Sequence, residues 1–159
     1  MKVKDAMSKV AVFCSPHTNL GEAVEILLER NCGILPIVDA KRHVVGVMTD
    51  RDIAIALGTR NRPAGEISAA EVATPKVQTC KATDDVSWAL DIMAENKVRR
   101  LVVVNDQNQL EGILSMDDVV LHAETQTFGK ADISADDVLR TLKGLYSPQL
   151  AARAAGAPR

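Results

Sequence analysis

The sequence predicts a mixed α/β (α+β) fold made of two copies of one unit, each a helix, two strands and a second helix. Three observations lead to this prediction. The chain repeats itself without gaps, each copy contains an amphipathic helical pattern, and each such helix is followed by two short β-branched runs.

The repeat is clearest in two similar stretches, "GVMTDRD", which starts at Gly46, and "GILSMDD", which starts at Gly112. The two stretches differ in position by 66 (112 minus 46), and the same shift aligns many other residues without a gap. It predicts repeats at residues 1–62 and 67–123, joined by the linker "TRNRPAGEISA", with residues 124–159 as a helical extension and flexible tail. Matched pairs include Cys14 with Cys80, Ala23 with Ala89, Leu35 with Leu101, Val38 with Val104, Thr49 with Ser115, and Asp52 with Asp118.

Each copy opens with an amphipathic helix. In the first copy Asn19 is placed to cap the helix, with Glu22 completing a capping box. The spacing of the apolar residues predicts one buried stripe per helix. The stripe residues are Leu20, Ala23, Val24, Leu27 and Leu28 in the first copy, and Val86, Ala89, Leu90 and Met93 in the second.

Two strands follow each helix. The runs "ILPIV" and "VVGVM" are separated by "DAKRH", and the second copy has "LVVV" and "LEGIL" separated by "NDQNQ". Each pair is typical of adjacent strands joined by a turn, with an extended lead-in around "VAVFC" or "KVQTC". A second helix follows, and in the first copy we expect it to end near Gly58.

Composition excludes several classes of function. The 19 basic and 21 acidic residues give a formal charge of −2, so no overall field attracts nucleic acid or an anionic membrane. No segment reaches the length of about 20 apolar residues that a membrane span needs, and we expect a cytoplasmic protein. The three cysteines form no C-x-x-C pair and are expected to be small buried groups.

No catalytic or metal-binding pattern is present in the sequence. His17, His43 and His122 have no partners at metal-ligand spacing, and we predict no metal site and no cofactor. The sequence has no phosphate-binding G-x-x-x-x-G-K-[ST], no G-x-S-x-G, and no nucleophile for Asp52 or Asp50 to serve. We therefore expect a protein that is not an enzyme.

The repeated motif Thr49-x-x-Asp52 and Ser115-x-x-Asp118 has two interpretations. A hydroxyl residue followed three positions later by an acid, just before an apolar run, is the pattern of a capping box. The same groups also suit a nucleotide, since a helix N-terminus attracts phosphate and a carboxylate accepts hydrogen bonds from ribose hydroxyls. Both interpretations hold at once if one motif serves the fold and the ligand.

Tandem helix, strand, strand, helix units that carry G-h-x-[TS]-x-x-D resemble CBS domains, and the pair resembles a Bateman module. The resemblance covers nearly the whole chain except the tail. It implies a pseudo-twofold module with two clefts between the repeats that bind adenine nucleotides such as AMP, ADP or ATP, and in some members S-adenosylmethionine or NAD. It also implies a homodimer and a regulated partner protein, which the sequence does not name.

The resemblance assigns roles to particular positions. The ribose-binding carboxylate falls on Asp52 and Asp118, and the phosphate-side hydroxyl falls on Thr49 and Ser115. Because Arg99 and Arg100 replace neutral residues of the first copy, we expect the stronger phosphate site at Ser115 and Asp118. The backbone contacts implied by the family fall on Cys32, Gly33 and Ile34 in one copy, and on Val98, Arg99 and Arg100 in the other.

These observations favour a regulatory module that senses an adenine nucleotide. The alternatives are a dimeric scaffold that binds no ligand, and a module for NAD or S-adenosylmethionine. Trp88, Ile26 and Ile92 lie off the predicted stripes, so their side of the helices is a candidate dimer contact. In the alternative interpretation, Trp88 packs against the tail segment "SADDVLRTLKGLY", where Ser134 and Asp137 are spaced to cap a helix.

Overall fold

The computed structural model describes residues 1–9, 11–123 and 132–155, and the side chains up to residue 147. The tail predicted to be flexible, residues 149–159, is helical up to Ala155, and only residues 156–159 lie outside the described residues. The helices and strands follow the predicted order in both copies. They are α1 (Val3–Ala6), α2 (Leu20–Glu29), β1 (Ile34–Val38), β2 (Val44–Thr49), α3 (Asp50–Arg60), a 3-10 turn (Ala64–Glu66), α4 (Ala69–Val72), β3 (Thr79–Cys80), α5 (Val86–Asn96), β4 (Arg100–Val104), β5 (Leu110–Ser115), α6 (Met116–His122) and α7 (Ala135–Ala155).

The chain forms two compact units, which we name by the repeat that supplies their helices. The first-repeat unit contains α2 and α3, extends through Val77, and includes Val104–Glu111. The second-repeat unit contains Met1–Lys9, Gln78–Val103 and the chain from Gly112 onward. The mixture of helices and strands in each unit confirms the predicted fold class.

The short helices α1 and α4 are exchanged between the sequence repeats. α1 lies at the start of the first repeat but belongs to the second-repeat unit, and α4 lies at the start of the second repeat but belongs to the first-repeat unit. Their backbone bonds match pair by pair at the offset of 66 positions. Leu20 N donates to Ile67 O at 2.9 Å and Val86 N to Met1 O at 3.1 Å. Each repeat therefore supplies the segment that completes the other unit.

The strands have the same arrangement in both units. β1 pairs with β2 in an antiparallel ladder, and the parallel neighbour of β1 is reduced to a bridge between Cys14 and Ile37. In the other unit β3, β4 and β5 are adjacent in that order, and Cys80 pairs in parallel with Val103. The predicted lead-in segments are thus short parallel partners of the first long strand.

The two strand turns lie together in the first-repeat unit. Val44 N donates to Asn108 O at 2.9 Å, and His43 forms an antiparallel bridge with Gln109. In the first turn Asp39 accepts from the His43 ring at 3.0 Å, which is the largest of the contacts that hold the pKa of Asp39 below its usual range. The second turn has Asn105 and Gln109 at the equivalent positions, and their amides bond at 3.0 Å.

Each unit has its own apolar core, and the cysteines at equivalent positions are buried in the two cores. Burial raises the pKa of Cys14 to about 11 and that of Cys80 to about 12. The core of the first-repeat unit consists of Cys14, Leu20, Ala23, Leu27, Leu35, Ile37, Met48, Ile53, Ala56, Ile67 and Ala69. That of the second consists of Val3, Ala6, Cys80, Val86, Ala89, Leu90, Met93, Leu101, Val103, Leu114, Met116, Val119, Ile133 and Leu145.

The stripe predicted for α2 is too wide. Leu20, Ala23 and Leu27 are buried, but the side chains of Val24 and Leu28 are 42% and 80% exposed. The core covers only the face centred on the three buried residues, so the positions one step around the helix remain at the surface.

The candidate dimer face is also narrower than predicted. Ile26 and Ile92 are partly buried and pack against the cores of their own units, so they do not form a second apolar face. Trp88 remains 51% exposed.

The predicted linker is part of the first-repeat core. Ile67 and Ala69 are fully buried, and Asn19 bridges to Ser68. The prediction of a linker followed its Gly, Pro and polar residues, which are typical of loops, but the two buried apolar side chains of Ile67 and Ala69 anchor the segment. The helix before it ends at Arg60, two residues beyond the predicted end, where Asn61 takes the left-handed conformation that terminates it.

The extension after the second repeat contains α7, which begins as predicted. Ser134 Oγ donates to Asp137 Oδ2 at 2.7 Å, a contact that leads those lowering the pKa of Asp137. α7 packs on α5, where a Cβ added to Gly144 would lie 2.8 Å from Ala94 Cβ. The alternative in which Trp88 packs on this helix stays a prediction. Among the described residues no helix is long and apolar enough to cross a membrane.

Close packing explains why the second strand of each copy has a glycine. A Cβ on Gly112 would lie 2.7 Å from the Ser8 backbone oxygen, closer than a real Cβ approaches. We predict that Gly112→Ala lowers the free energy of unfolding by about 1–3 kcal/mol. Gly58→Ala is the control, because nothing lies within 4 Å of its added Cβ, and it should stabilise α3 by about 0.5 kcal/mol. Urea denaturation measures both, and equal effects would contradict the role of the close contact.

The cap of α4 makes stability depend on pH. Glu71 accepts from Ser68 N at 3.0 Å and from Arg62 at 2.8 Å, and these contacts lower its pKa from 4.5 to about 2. A carboxyl group with a lowered folded pKa stabilises the fold above the unfolded value, and this contribution is lost as the pH falls toward about 2. We therefore predict that Glu71→Gln reduces the loss of thermal stability between pH 4.5 and 2. Glu66→Gln, which changes a neighbouring exposed acid, should leave this loss as in the wild type. A Glu71→Gln protein that loses as much thermal stability as the wild type over this pH range would contradict the role of Glu71.

Candidate ligand site at the strand to helix junctions

The first junction connects β2 to α3 at Thr49. Asp52 Oδ2 accepts two hydrogen bonds from this residue, one from Thr49 N at 2.8 Å and one from Thr49 Oγ1 at 2.7 Å. Asp52 N approaches Thr49 Oγ1 at 3.3 Å, which completes a capping box. The structural interpretation of the motif is therefore correct for this copy.

The second junction, between β5 and α6, repeats the geometry. Asp118 Oδ2 accepts from Ser115 N at 2.8 Å and from Ser115 Oγ at 2.5 Å, and Asp118 N approaches Ser115 Oγ at 3.1 Å. Both acids are half-buried. In both copies the cap therefore uses the same carboxylate oxygen, Oδ2, and leaves Oδ1 for other partners.

The copies differ at Oδ1. Asp118 Oδ1 accepts a long hydrogen bond of 3.4 Å from the Ser8 hydroxyl. Within the described part of the chain, Asp52 Oδ1 accepts no hydrogen bond. Ser8 lies outside the predicted site, although the offset of 66 aligns it with Thr74 and gives both copies a hydroxyl at this position.

The first-copy backbone positions lie beside their junction. Ile34 is the register partner of Thr49, so the start of β1 lies next to the cap. Cys32 N donates to Leu27 O at 3.1 Å, which ends α2 just before this strand. Cys32, Gly33 and Ile34 are all partly buried.

The second-copy positions are brought to their junction by one backbone bond. Met116 N, at the first residue of α6, donates to Arg99 O at 2.9 Å. Val98 is partly buried against the core, whereas Arg99 is exposed and Arg100 is half-exposed. Neither arginine forms an ion pair with any residue that the structure describes.

A cavity of about 190 Å³ lies beside Asp52 in the first-repeat unit. Its walls combine apolar groups with two polar residues near the end of α3, where Arg60 Nη2 donates to Glu71 O at 2.7 Å. In the second copy α6 ends at His122, whose ring contacts Asp118 O at 2.8 Å, and the positions equivalent to Thr59 and Arg60 lie outside the described residues. The lining residues of the cavity are Asp52, Ile55, Ala56, Thr59, Arg60 and Val72.

The electrostatics of the junctions favour hydroxyl donors more than bare phosphate. Each helix begins with two acids in its first turn, Asp50 and Asp52 or Asp117 and Asp118. They offset the positive end of the helix dipole, so an anion at the second junction needs cations such as Arg99 and Arg100. Over the described residues no group of three metal-ligating side chains occurs.

The geometry defines a class of protein: a tandem pair of exchanged α/β repeats, each with a capped strand to helix junction. Comparison with known proteins identifies it. The CBS domain family matches residues 3–59 and 69–124, and the chain belongs to that family as a tandem CBS pair.

Similar proteins include both curated sequences and solved structures. The CBS domain-containing protein YhcV of Bacillus subtilis is 31% identical over 120 residues, which cover 76% of this chain and 84% of YhcV. The CBS domain pair of protein MJ0100, solved with 5′-methylthioadenosine and S-adenosyl-L-methionine, has a TM-score of 0.70 at 29% identity, covering 76% of this chain and 94% of that one. CBSX2, solved with AMP, has a TM-score of 0.66 at 27% identity, covering 76% and 93%.

The caps predict a measurable loss of stability when a hydroxyl is removed. Thr49→Ala should lower the free energy of unfolding by about 1 kcal/mol, because the N-terminus of α3 loses its capping oxygen. Thr59→Ala is the matched control, since its hydroxyl only bonds to Ile55 O within the same helix, and it should stay within about 0.5 kcal/mol of the wild type. Chemical denaturation distinguishes the two, and a Thr49→Ala protein as stable as the control would show that the cap contributes nothing.

Proposed function

We propose that this CBS pair is a regulatory module that binds an adenosyl ligand of the AMP, ADP or ATP class at its strand to helix junctions. The observation that carries the proposal is that the two carboxylate oxygens of each acid have different roles. Oδ2 of Asp52 and of Asp118 completes a helix cap, and the cap does not use Oδ1. A carboxylate oxygen held rigidly in this way is a suitable acceptor for ribose hydroxyls.

The ligands of similar structures support the ligand class. MJ0100 was solved with 5′-methylthioadenosine and S-adenosyl-L-methionine, and CBSX2 with AMP. These three molecules share adenosine, so they share the ribose diol and the base while differing at the 5′ end. A site that recognises the diol through Asp52 or Asp118 accepts all of them, and the 5′ contacts determine the choice.

For the 5′ end we propose a phosphate contact in the second repeat. Arg99 and Arg100 adjoin the Ser115 junction and form no ion pair with a described residue, so their charge is available to a phosphate. The backbone around Val98 and, in the first repeat, Cys32, Gly33 and Ile34 would contact the base or ribose. S-adenosylmethionine and NAD remain the alternative ligands, because neither requires a terminal phosphate.

The mechanism that fits a sensor is a shift in population. A ligand that binds one conformation more tightly increases its share, and a partner protein that distinguishes the conformations responds. We propose that the module performs no catalysis itself, acts in the cytoplasm, and pairs with a second copy through the surface around Trp88, which is 51% exposed.

A second candidate is a dimeric scaffold that binds no ligand. The capping boxes favour it. Helix capping by itself is enough to explain why both copies have a hydroxyl residue and an acid at this spacing, without any ligand. This candidate predicts that nucleotides do not stabilise the protein.

The test is a thermal-shift titration with AMP, ADP, ATP, NAD, S-adenosylmethionine and adenosine. A ligand at a hundredfold excess over its dissociation constant should stabilise the wild type by about 2.7 kcal/mol. In Asp118→Ala the ligand should no longer stabilise the protein through the second junction, because the substitution removes the acceptor for the ribose hydroxyls. Asp117→Ala is the matched control, an exposed acid one residue away in the same first turn.

Comparing ligands within the same titration tests the arginines. A larger shift with ATP than with adenosine, lost in Arg99→Ala/Arg100→Ala, supports the phosphate contact. Equal responses of Asp118→Ala and Asp117→Ala to a binding ligand would refute the role of Asp118. Absence of any shift with the whole panel would favour the scaffold.

A further inference from the structure

The outward side of α7 carries two apolar side chains interleaved with two charged ones. Leu139 and Tyr146 lie on the same side of the helix and are 50% and 43% exposed. Asp136 and Lys143 lie on this side as well, so the four residues follow one another at intervals of three, four and three. We call Asp136, Leu139, Lys143 and Tyr146 the α7 seam. Alternating intervals of three and four are typical of a surface along which two helices pack.

The α7 seam is separate from the contacts that hold α7 in its own unit. The inner side of α7 buries Thr141 and Leu145, and the helix packs on α5 and α6. Asp136 and Lys143 are exposed and form no ion pair with a residue that the structure describes. The family match ends at residue 124, so α7 and its seam are additions to the two repeats.

The order of charges along the α7 seam favours a second copy of this chain as the partner. An acid stands three residues before Leu139, and a base stands four residues after it. When two such helices cross antiparallel near Leu139, each Asp136 lies beside the Lys143 of the other copy. In a parallel pair the like charges would meet, which is unfavourable. A surface that contains its own complement in this way is what a twofold contact requires.

We propose that two copies of this chain associate through antiparallel α7 seams, around a twofold axis that passes near Leu139. Leu139 of each copy packs on its counterpart, and Tyr146 extends the apolar contact over the first turn of the other helix. Two symmetric ion pairs between Asp136 and Lys143 fix the direction and the register.

The contact involves one helix of each copy, so we expect association that is weak and depends on concentration. It is additional to the pairing around Trp88, which lies on α5, and it does not depend on a nucleotide.

Sedimentation velocity of the full chain over a range of concentrations tests the charge pairing. Asp136→Lys produces a seam with two bases, and Lys143→Glu produces one with two acids. Either variant alone should therefore associate about tenfold more weakly than the wild type. An equimolar mixture of the two variants again places each base beside an acid, between unlike chains. Association in the mixture should return to within about threefold of the wild type.

Asp117→Lys is the matched control for Asp136→Lys. Both substitutions replace an exposed acid at the second position of a helix, in α6 and in α7, and both change the net charge equally. The control should associate as strongly as the wild type. The whole series is repeated with Trp88→Glu added to every chain, so that pairing around Trp88 is not mistaken for the α7 contact.

Three results would overturn the proposal. The first is association of Asp136→Lys or Lys143→Glu that is as strong as that of the wild type. The second is a mixture that associates no better than either variant alone, although both variants have the thermal stability of the wild type. The third is a wild type that stays monomeric, or one that loses all association with Trp88→Glu, which would assign self-association to the surface around Trp88.

Discussion

The structure depends on the exchange of α1 and α4. Backbone amides at the start of α2 and α5 need acceptors, since the first N–H groups of a helix have none within it. Leu20 N donates to Ile67 O and Val86 N donates to Met1 O, and each acceptor lies at the start of the other repeat. Neither repeat thus holds all of its own core. This requirement explains why the register between the copies has no gap: an insertion before either helix would displace a buried segment of the opposite unit.

The strand to helix junctions also satisfy the free amides at the start of a helix. An acid at the third position of a helix satisfies backbone and hydroxyl donors with a single oxygen, which fixes the side chain without consuming its second acceptor. Structural and ligand roles are therefore not competing explanations of Asp52 and Asp118. They do differ in consequence. Loss of the cap weakens folding by an amount similar to other caps. Loss of Asp52 Oδ1, which accepts no hydrogen bond from a described residue, acts only when ligand is present.

Much of this architecture follows from the sequence, and the exceptions have physical reasons. Periodicity and the repeat predict the helices, the strand pairs and the caps at Thr49, Ser115 and Ser134, because these depend on residues close in the chain. Burial of Ile67 depends instead on the exchange of its segment into the other unit. Its Gly, Pro and polar neighbours therefore predict an exposed linker, which is wrong. The contact of Ser8 with Asp118 joins residues far apart in sequence, and only the aligned hydroxyl of Thr74 hints at it. Exposure of Leu28 shows that a periodic stripe gives the apolar positions of a helix but not how much of that stripe the unit covers.

Divergence between the copies is informative because the backbone is shared. Where two equivalent positions have the same geometry but different chemistry, folding alone does not account for the difference. The first turn has a hydrogen bond between Asp39 and His43, and the second has one between Asn105 and Gln109 at the equivalent positions. This difference in side chains therefore leaves the backbone of the turn unchanged. The helical faces differ more deeply, since Ala94 allows the close approach of α7 whereas its counterpart Leu28 projects into solvent. A large exposed apolar residue at a position where the sister repeat packs a helix carries a solvation cost that folding does not require. This asymmetry between the two helical faces therefore goes beyond what the shared fold of the two repeats requires.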